Sequence, residues 1–191
     1  MKRILIALVA GAAFALSSTA IAAEFQPAIV FDMGGKFDKS FNEAAYNGAE
    51  KFKADTGIDY RDFEVTNPAG REQAMRNMAR RGATVIIAMG FAQAAAVEKV
   101  AQEYPDVKFT LIDMVVDLPN VQSVIFKEHE GSFLVGMAAA LASKTGKVGF
   151  VGGMDIPLIR KFMIGYREGA MYVNPDIKVY ENMTGTTPAE I

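Results

Sequence analysis

Short runs of β-favouring residues alternate with helix-length segments along almost the whole chain, and no other feature restricts its fold as much. Strands separated in this way cannot pair as tight hairpins; they need crossovers, and crossovers build parallel sheets with helices on both faces. The strand candidates are Pro27–Met33, Tyr60–Val65, Thr84–Met89, Val107–Ile112, Val121–Phe126, Lys147–Val151 and Ile177–Glu181. Val85-Ile86-Ile87-Ala88-Met89 and Val148-Gly149-Phe150-Val151 are unbroken apolar runs, as expected of strands covered on both sides. The fold class is therefore α/β, with Rossmann-like parallel sheets.

Between the strands the apolar period changes from 2 to 3.6. Phe41, Ala44, Ala45, Gly48 and Phe52 fall on one face of a first helix, and later helices are expected over 71–81, 92–103, 131–143 and 158–173. Ser40-Phe41-Asn42-Glu43 reads as a capping box, with Asp38 a competing N-cap. Gly57, Gly82, Pro105, Gly146 and Asn174-Pro175 stand where those helices should stop. The lobe boundary is expected at 126/127, before Lys127-Glu128-His129-Glu130-Gly131 and a long small-residue helix. Residues 23–126 then form an N-terminal lobe and 127–191 the start of a C-terminal one. Two strands and little else would leave that second lobe unfinished, exposing Val148, Phe150 and Val179. The chain is accordingly expected to be the front part of a longer protein.

Residues 1–22 have the layout of a cleaved secretory signal: Lys2 and Arg3, an apolar stretch from Ile4 to Leu16, and Ala20-Ile21-Ala22 before the cut. With no cysteine, the chain has neither a disulfide nor a lipoprotein anchor to offer, and a periplasmic location is expected. Removing Lys2 and Arg3 leaves 18 of the 20 basic residues against 22 acidic ones, a net charge of −4. That balance argues against nucleic acid as a partner.

In doubly wound sheets the ligand lies beyond the carboxyl ends of the strands. The residues there are Asp32 followed by Gly34 to Asn42, then Gly90-Phe91, Asp113, and Gly152-Gly153-Met154-Asp155. Glycines let backbone approach a ligand, phenylalanines stack on planar rings, and carboxylates accept from hydroxyl or ring N–H groups. Each has an ordinary alternative: Phe41 lies on its helix's apolar stripe and could be core, Asp32 and Asp113 could cap helices, and Gly152-Gly153 could be a tight turn. Gly34-Gly35-Lys36 lacks the spacing of a phosphate loop, and no nucleophile elbow or zinc-protease pair occurs. His129 is the sole histidine and has no cysteine beside it for a metal. No cofactor is expected. Enzymatic use of Asp32 or Asp113, as in a hydrolase, remains the competing class.

Asp38-Lys39-Ser40-Phe41-Asn42, Gly90-Phe91, Ile112-Asp113, Glu130-Gly131-Ser132-Phe133-Leu134-Val135-Gly136 and Val148-Gly149-Phe150-Val151-Gly152-Gly153-Met154 together resemble the BMP, or PnrA-like, family of ABC-transporter substrate-binding proteins. The resemblance implies a type I periplasmic-binding fold, no enzymatic activity, a small-molecule ligand such as a purine nucleoside, and an ABC permease in the inner membrane as partner. It further implies that Phe41 stacks on a base and that Asp32 and Asn42 contact it. Asp113, Gly153 and Met154 would surround base and ribose, with Gly90 and Phe91 on the cleft wall. Other ligands of this fold, such as sugars or autoinducers, remain open. Two departures stand out: the missing lipoprotein cysteine, and the segment Gly34 to Phe37, which could alter ligand choice.

Overall fold

The computed structural model describes residues 24–185; the expected signal segment, 1–22, lies outside them. Seven strands and five helices follow one another as β1 Pro27–Phe31, α1 Phe41–Thr56, β2 Arg61–Glu64, α2 Arg71–Arg80, β3 Val85–Ala88, α3 Ala94–Glu103, β4 Lys108–Ile112, β5 Val121–Val124, α4 Glu128–Ala142, β6 Lys147–Met154, α5 Pro157–Val173 and β7 Lys178–Gly185. The first five strands form one sheet in the order β2-β1-β3-β4-β5, and the last two form a second. Every pairing is parallel, with Ala28 opposite Arg61, Pro27 opposite Val85, Val85 opposite Lys108, Phe109 opposite Val121 and Lys147 opposite Lys178. The α/β architecture read from the alternation is thus present, and the expected lobe boundary falls between β5 and α4.

The first sheet sorts its side chains by strand period. Ala28, Val30, Ile86, Ala88, Phe109 and Leu111 face α2 and α3, meeting Met75, Met78, Val97 and Val100. Burying each large apolar side chain there contributes about 1.5–3 kcal/mol. Arg76 to Glu103 (2.6 Å) and Lys99 to Glu72 (2.9 Å) bind the two helices along their outer surface. Ile29, Phe31 and Met89 point the other way, towards Phe41, Ala45 and Tyr46 of α1. A single helix does not cover that face, and an apolar groove of about 750 Å³ runs between α1 and the sheet, bordered by Ile29, Ile87, Phe52 and Phe162.

Element ends depart from the sequence reading for local reasons. β1 stops at Phe31 and not Met33, because the chain turns through Gly34 (φ 103°) and Gly35 (φ 74°). A 3-10 turn over Phe91–Gln93 precedes α3, which starts at Ala94. β5 ends at Val124, leaving Ile125 and Phe126 exposed, while α4 begins at Glu128 and β6 and β7 run on to Met154 and Gly185. The capping box does not form: Ser40 makes no side-chain cap. Asp38 takes its place, accepting from the backbone N–H of Ser40 (2.8 Å), Asn42 (3.0 Å) and Glu43 (3.1 Å). Burial works to raise the Asp38 pKa, but those N–H groups and the Asn42 amide outweigh it and hold the carboxyl below its usual range.

The second sheet is held by a helix pair packed through glycine. A Cβ on Gly136 would lie 1.9 Å from the Tyr166 carbonyl oxygen; one on Gly169 would lie 1.9 Å from that of Phe133, and one on Gly165 2.3 Å from that of His129. Contact at 129–165 and again at 133–169 means that α4 and α5 run in the same direction. Val148 and Val179 pack with Ala140, Ala170 and Ile177, and the Phe150 ring lies 6.1 Å from that of Tyr166. Val148, Phe150 and Val179 are therefore half-buried, contrary to the expected exposure. The bare residues are those on the opposite face, Val151 (72% exposed) and Tyr180 (58%). Gly169→Ala should force the helices apart and cost about 1–3 kcal/mol in urea unfolding. Gly131→Ala, on the same helix pair but with open space around it, should be neutral or stabilising by up to about 1 kcal/mol.

Candidate functional site

In the order β2-β1-β3-β4-β5 the chain changes direction between β1 and β3, and that reversal opens a crevice at the carboxyl ends of those two strands. Asp32 follows β1 and Gly90 follows β3 at the mouth of this crevice. Gly90 adopts φ 94°, ψ 151°, a backbone region essentially reserved for glycine. A Cβ there would stand 3.1 Å from Asp32 Oδ2 and 3.6 Å from Phe41 Cε1. Asp32, Phe41 and Gly90, three of the residues singled out in the sequence, thus converge on one point.

The loop after β1 is held by Asn42, which is 2% exposed. Its Oδ1 accepts from the Asp32 N–H (3.1 Å), and its Nδ2 donates to the carbonyls of Asp32 and Met33 (both 3.4 Å) and to Asp38 Oδ2 (3.2 Å). The amide is fully occupied in fixing Asp32 and the entry to α1. Lys36 anchors the same loop to the sheet edge, donating to Asp62 and lying 3.8 Å from Glu64 Oε1. Asp32 caps no helix; its Oδ1 instead accepts from Arg71 Nη2 at 2.9 Å. Phe41 packs its body against Ile29, Phe31 and Met89, as its place on the apolar stripe suggests, and turns its ring edge towards Gly90.

Asp113 follows β4 with φ 70°, and the next element is β5, with no helix for it to cap. Its pKa is raised, first by burial and then by the like charge of Glu128, with Lys161 opposing. Glu128 opens α4, its side chain 6% exposed and 3.3 Å from Lys161 Nζ of α5. Gly153 and Met154 close β6 in the second sheet, within the strand and not in a turn. The Thr184 hydroxyl donates to the Gly153 carbonyl (2.6 Å), and Met154 is 5% exposed. Phe91 begins the 3-10 turn beyond Gly90, half-buried. Among the described residues no hydrogen bond or ion pair joins Gly153 or Met154 to the Asp32 group. Nor is any group of three His, Cys, Asp or Glu placed to hold a metal ion. The 750 Å³ groove includes Phe41 and Asp113 but not Asp32 or Gly90, so it lies beside the strand-end crevice.

A family model described as Bmp, ABC transporter substrate-binding protein PnrA-like, matches residues 25–189. The chain belongs to the Bmp family. A relative from Listeria monocytogenes, named CD4+ T-cell-stimulating antigen, is 36% identical over 162 residues, covering 82% of this chain and 45% of its own. Another from Lactococcus lactis, an ABC transporter nucleoside-binding protein, is 33% identical over 168 residues, covering 85% and 48%. Among solved structures, an ABC transporter solute-binding protein from Aeropyrum pernix K1 superposes with TM-score 0.76 at 34% identity, covering 84% of this chain and 48% of that one. The Bmp chain thus spans about half the length of the curated relatives it matches. Its fold is the type I periplasmic-binding arrangement, and among its described residues no helix is long and apolar enough to cross a membrane.

Sequence reasoning passed over Arg71. The signal was present: it is the first residue of α2, where the helix dipole disfavours a cation.

Asp113 carries a test of its environment. With its folded-state pKa raised, ionisation opposes folding, so the penalty is absent in acid and appears as pH rises through the ordinary and then the raised value. Asn tolerates the same left-handed backbone and carries no charge. Asp113→Asn should therefore melt higher than the parent at pH 7, and the difference should vanish below about pH 3.5. A difference independent of pH would assign the effect to packing.

Proposed function

We propose that the protein is the periplasmic solute-binding component of an ABC importer, and that it takes a purine nucleoside into the cleft beyond the strand ends. The observation that carries this reading is the convergence of Asp32, Phe41 and Gly90 at the point where strand order reverses. A carboxylate oxygen, an aromatic ring and backbone bare of side chain suit a flat, donor-bearing ring system. Membership of the Bmp family and a nucleoside-binding relative support the ligand class. Asn42 serves by fixing Asp32, and Gly90 and Phe91 form the cleft wall. Asp113, Gly153 and Met154 meet the ribose side once the lobes close. No bond in the ligand is made or broken; the closed form is what the permease recognises.

Calorimetry with inosine, guanosine, adenosine and their free bases, on the protein as expressed from its own gene, tests this. Nucleosides should bind more tightly than bases, and equal or stronger binding of the bases would overturn the nucleoside reading. Asp113→Asn should weaken nucleoside binding more than about tenfold, since a charged acceptor contributes about 1.5–3 kcal/mol, while leaving the protein no less stable at pH 7. Hydrolysis of a nucleoside to base and ribose would replace the receptor reading with an enzymatic one.

A further inference from the structure

We propose that Arg71 is a positioning residue of the ligand cleft: it clamps one oxygen of Asp32 so that the other is presented over Gly90, beside the edge of Phe41. The inference rests on the ligand-binding reading of Asp32 given above and adds a residue to it.

Three features set Arg71 apart among the cations of the described residues. It is the first residue of α2, entered through a 3-10 turn over Pro68–Gly70, near the positive end of the helix dipole, which disfavours a guanidinium. It is only 8% exposed. Its Nη2 donates to Asp32 Oδ1 at 2.9 Å, with side-chain exposures of 10% and 19% for the pair, while its Nε is buried without a partner. A desolvated ion pair with an orphaned donor is a poor device for stability. The same geometry makes sense as a device for orientation.

What Arg71 orients follows from the surroundings of Asp32. Asn42 fixes the main chain on both sides of the residue, through the Asp32 N–H at 3.1 Å and its carbonyl at 3.4 Å, but nothing in that network touches the carboxylate. Arg71 supplies the missing constraint by holding Oδ1. The remaining oxygen, Oδ2, then lies 3.1 Å from where a Cβ of residue 90 would sit, a space kept open because that residue is glycine. The carboxylate thereby becomes a single directed acceptor for one N–H or O–H of a ligand.

The test compares the parent with Arg71→Met, Arg71→Lys, Asp32→Asn and the Arg71→Met/Asp32→Asn double variant. In ligand-free crystals, the Asp32 carboxylate should keep its place over Gly90 in the parent and lose it in Arg71→Met, with Arg71→Lys intermediate. An Asp32 side chain that stays in place without Arg71 overturns the proposal. In calorimetry with inosine and guanosine, Arg71→Met should weaken binding about tenfold, yet the double variant should bind within about twofold of Asp32→Asn alone, because Arg71 acts only through Asp32. Losses that multiply in the double variant would show an independent role and also overturn it. Should Arg71→Met fail to fold, Arg71→Lys carries both readouts. If the parent binds neither nucleoside, the nucleoside reading falls, and the ligand-free structures still decide the case for Arg71.

Discussion

Parallel pairing is the constraint on which the rest of this molecule depends. Parallel neighbours cannot be joined by a tight turn, so each helix carries the chain from the carboxyl end of one strand back to the amino end of the next. All the turns that leave a strand then gather on one edge of the sheet. Had the strands followed one another in order, the helices would lie on one face and close that edge. Because the chain goes outward from β1 to β2 and then returns to β3 on the other side, α1 and the α2–α3 pair lie on opposite faces, and the edge between β1 and β3 is left open. Asp32 and Gly90 occupy that opening through topology, before any side-chain chemistry is considered.

The strand cores were legible in the sequence because unbroken apolar runs such as Val85 to Met89 suit a central strand of a parallel sheet, although Val85 and Ile87 border the groove that α1 leaves uncovered. Strand ends were less so. A run of apolar residues does not reveal that Asn42, ten residues on, will take the Asp32 N–H out of the ladder and end β1 at Phe31. The choice between Ser40 and Asp38 as cap was open for the same reason: both spacings are permissible, and the glycine turn before α1 decides which side chain reaches the free N–H groups. Of the site, Phe41, Gly90 and Asp32 were readable from their position after strands and were brought together. The pairing of Asp32 with Arg71 spans 39 residues and has no local pattern; only the misplaced charge at the start of α2 hinted at it.

The second sheet obeys a different rule from the first. Its helices meet through Gly136, Gly165 and Gly169, whose missing side chains let the two backbones come into contact. Close approach of this kind gains van der Waals contact along the backbone but tolerates no added atom. Helix α4 is apolar around most of its circumference, with Leu134, Val135 and Leu141 exposed between 60% and 74%. A helix of that composition is suited to burial on all sides. The β6–β7 pair likewise has one face on its helices and one bare, so this half of the structure has apolar surface in excess of what its own elements cover.

The two halves meet where Asp113, Glu128 and Lys161 come together. Asp113 leaves the first sheet, Glu128 starts the helix that leads to the second, and Lys161 lies on the helix that covers it. Lys161 pairs with Glu128 at 3.3 Å, Glu128 keeps a buried oxygen without a partner, and the Asp113 pKa is raised chiefly by burial and then by the Glu128 charge. An arrangement with more negative charge than its cation can satisfy is electrostatically unfinished, because each buried acceptor lacking a donor carries an uncompensated desolvation cost. A ligand bearing hydroxyl or N–H groups would supply the missing donors at the junction itself. Under the proposed nucleoside reading, Asp113 would join occupancy of the cleft to the packing of one lobe against the other, a link that the Asp32 group, built on the first sheet and α2, does not offer.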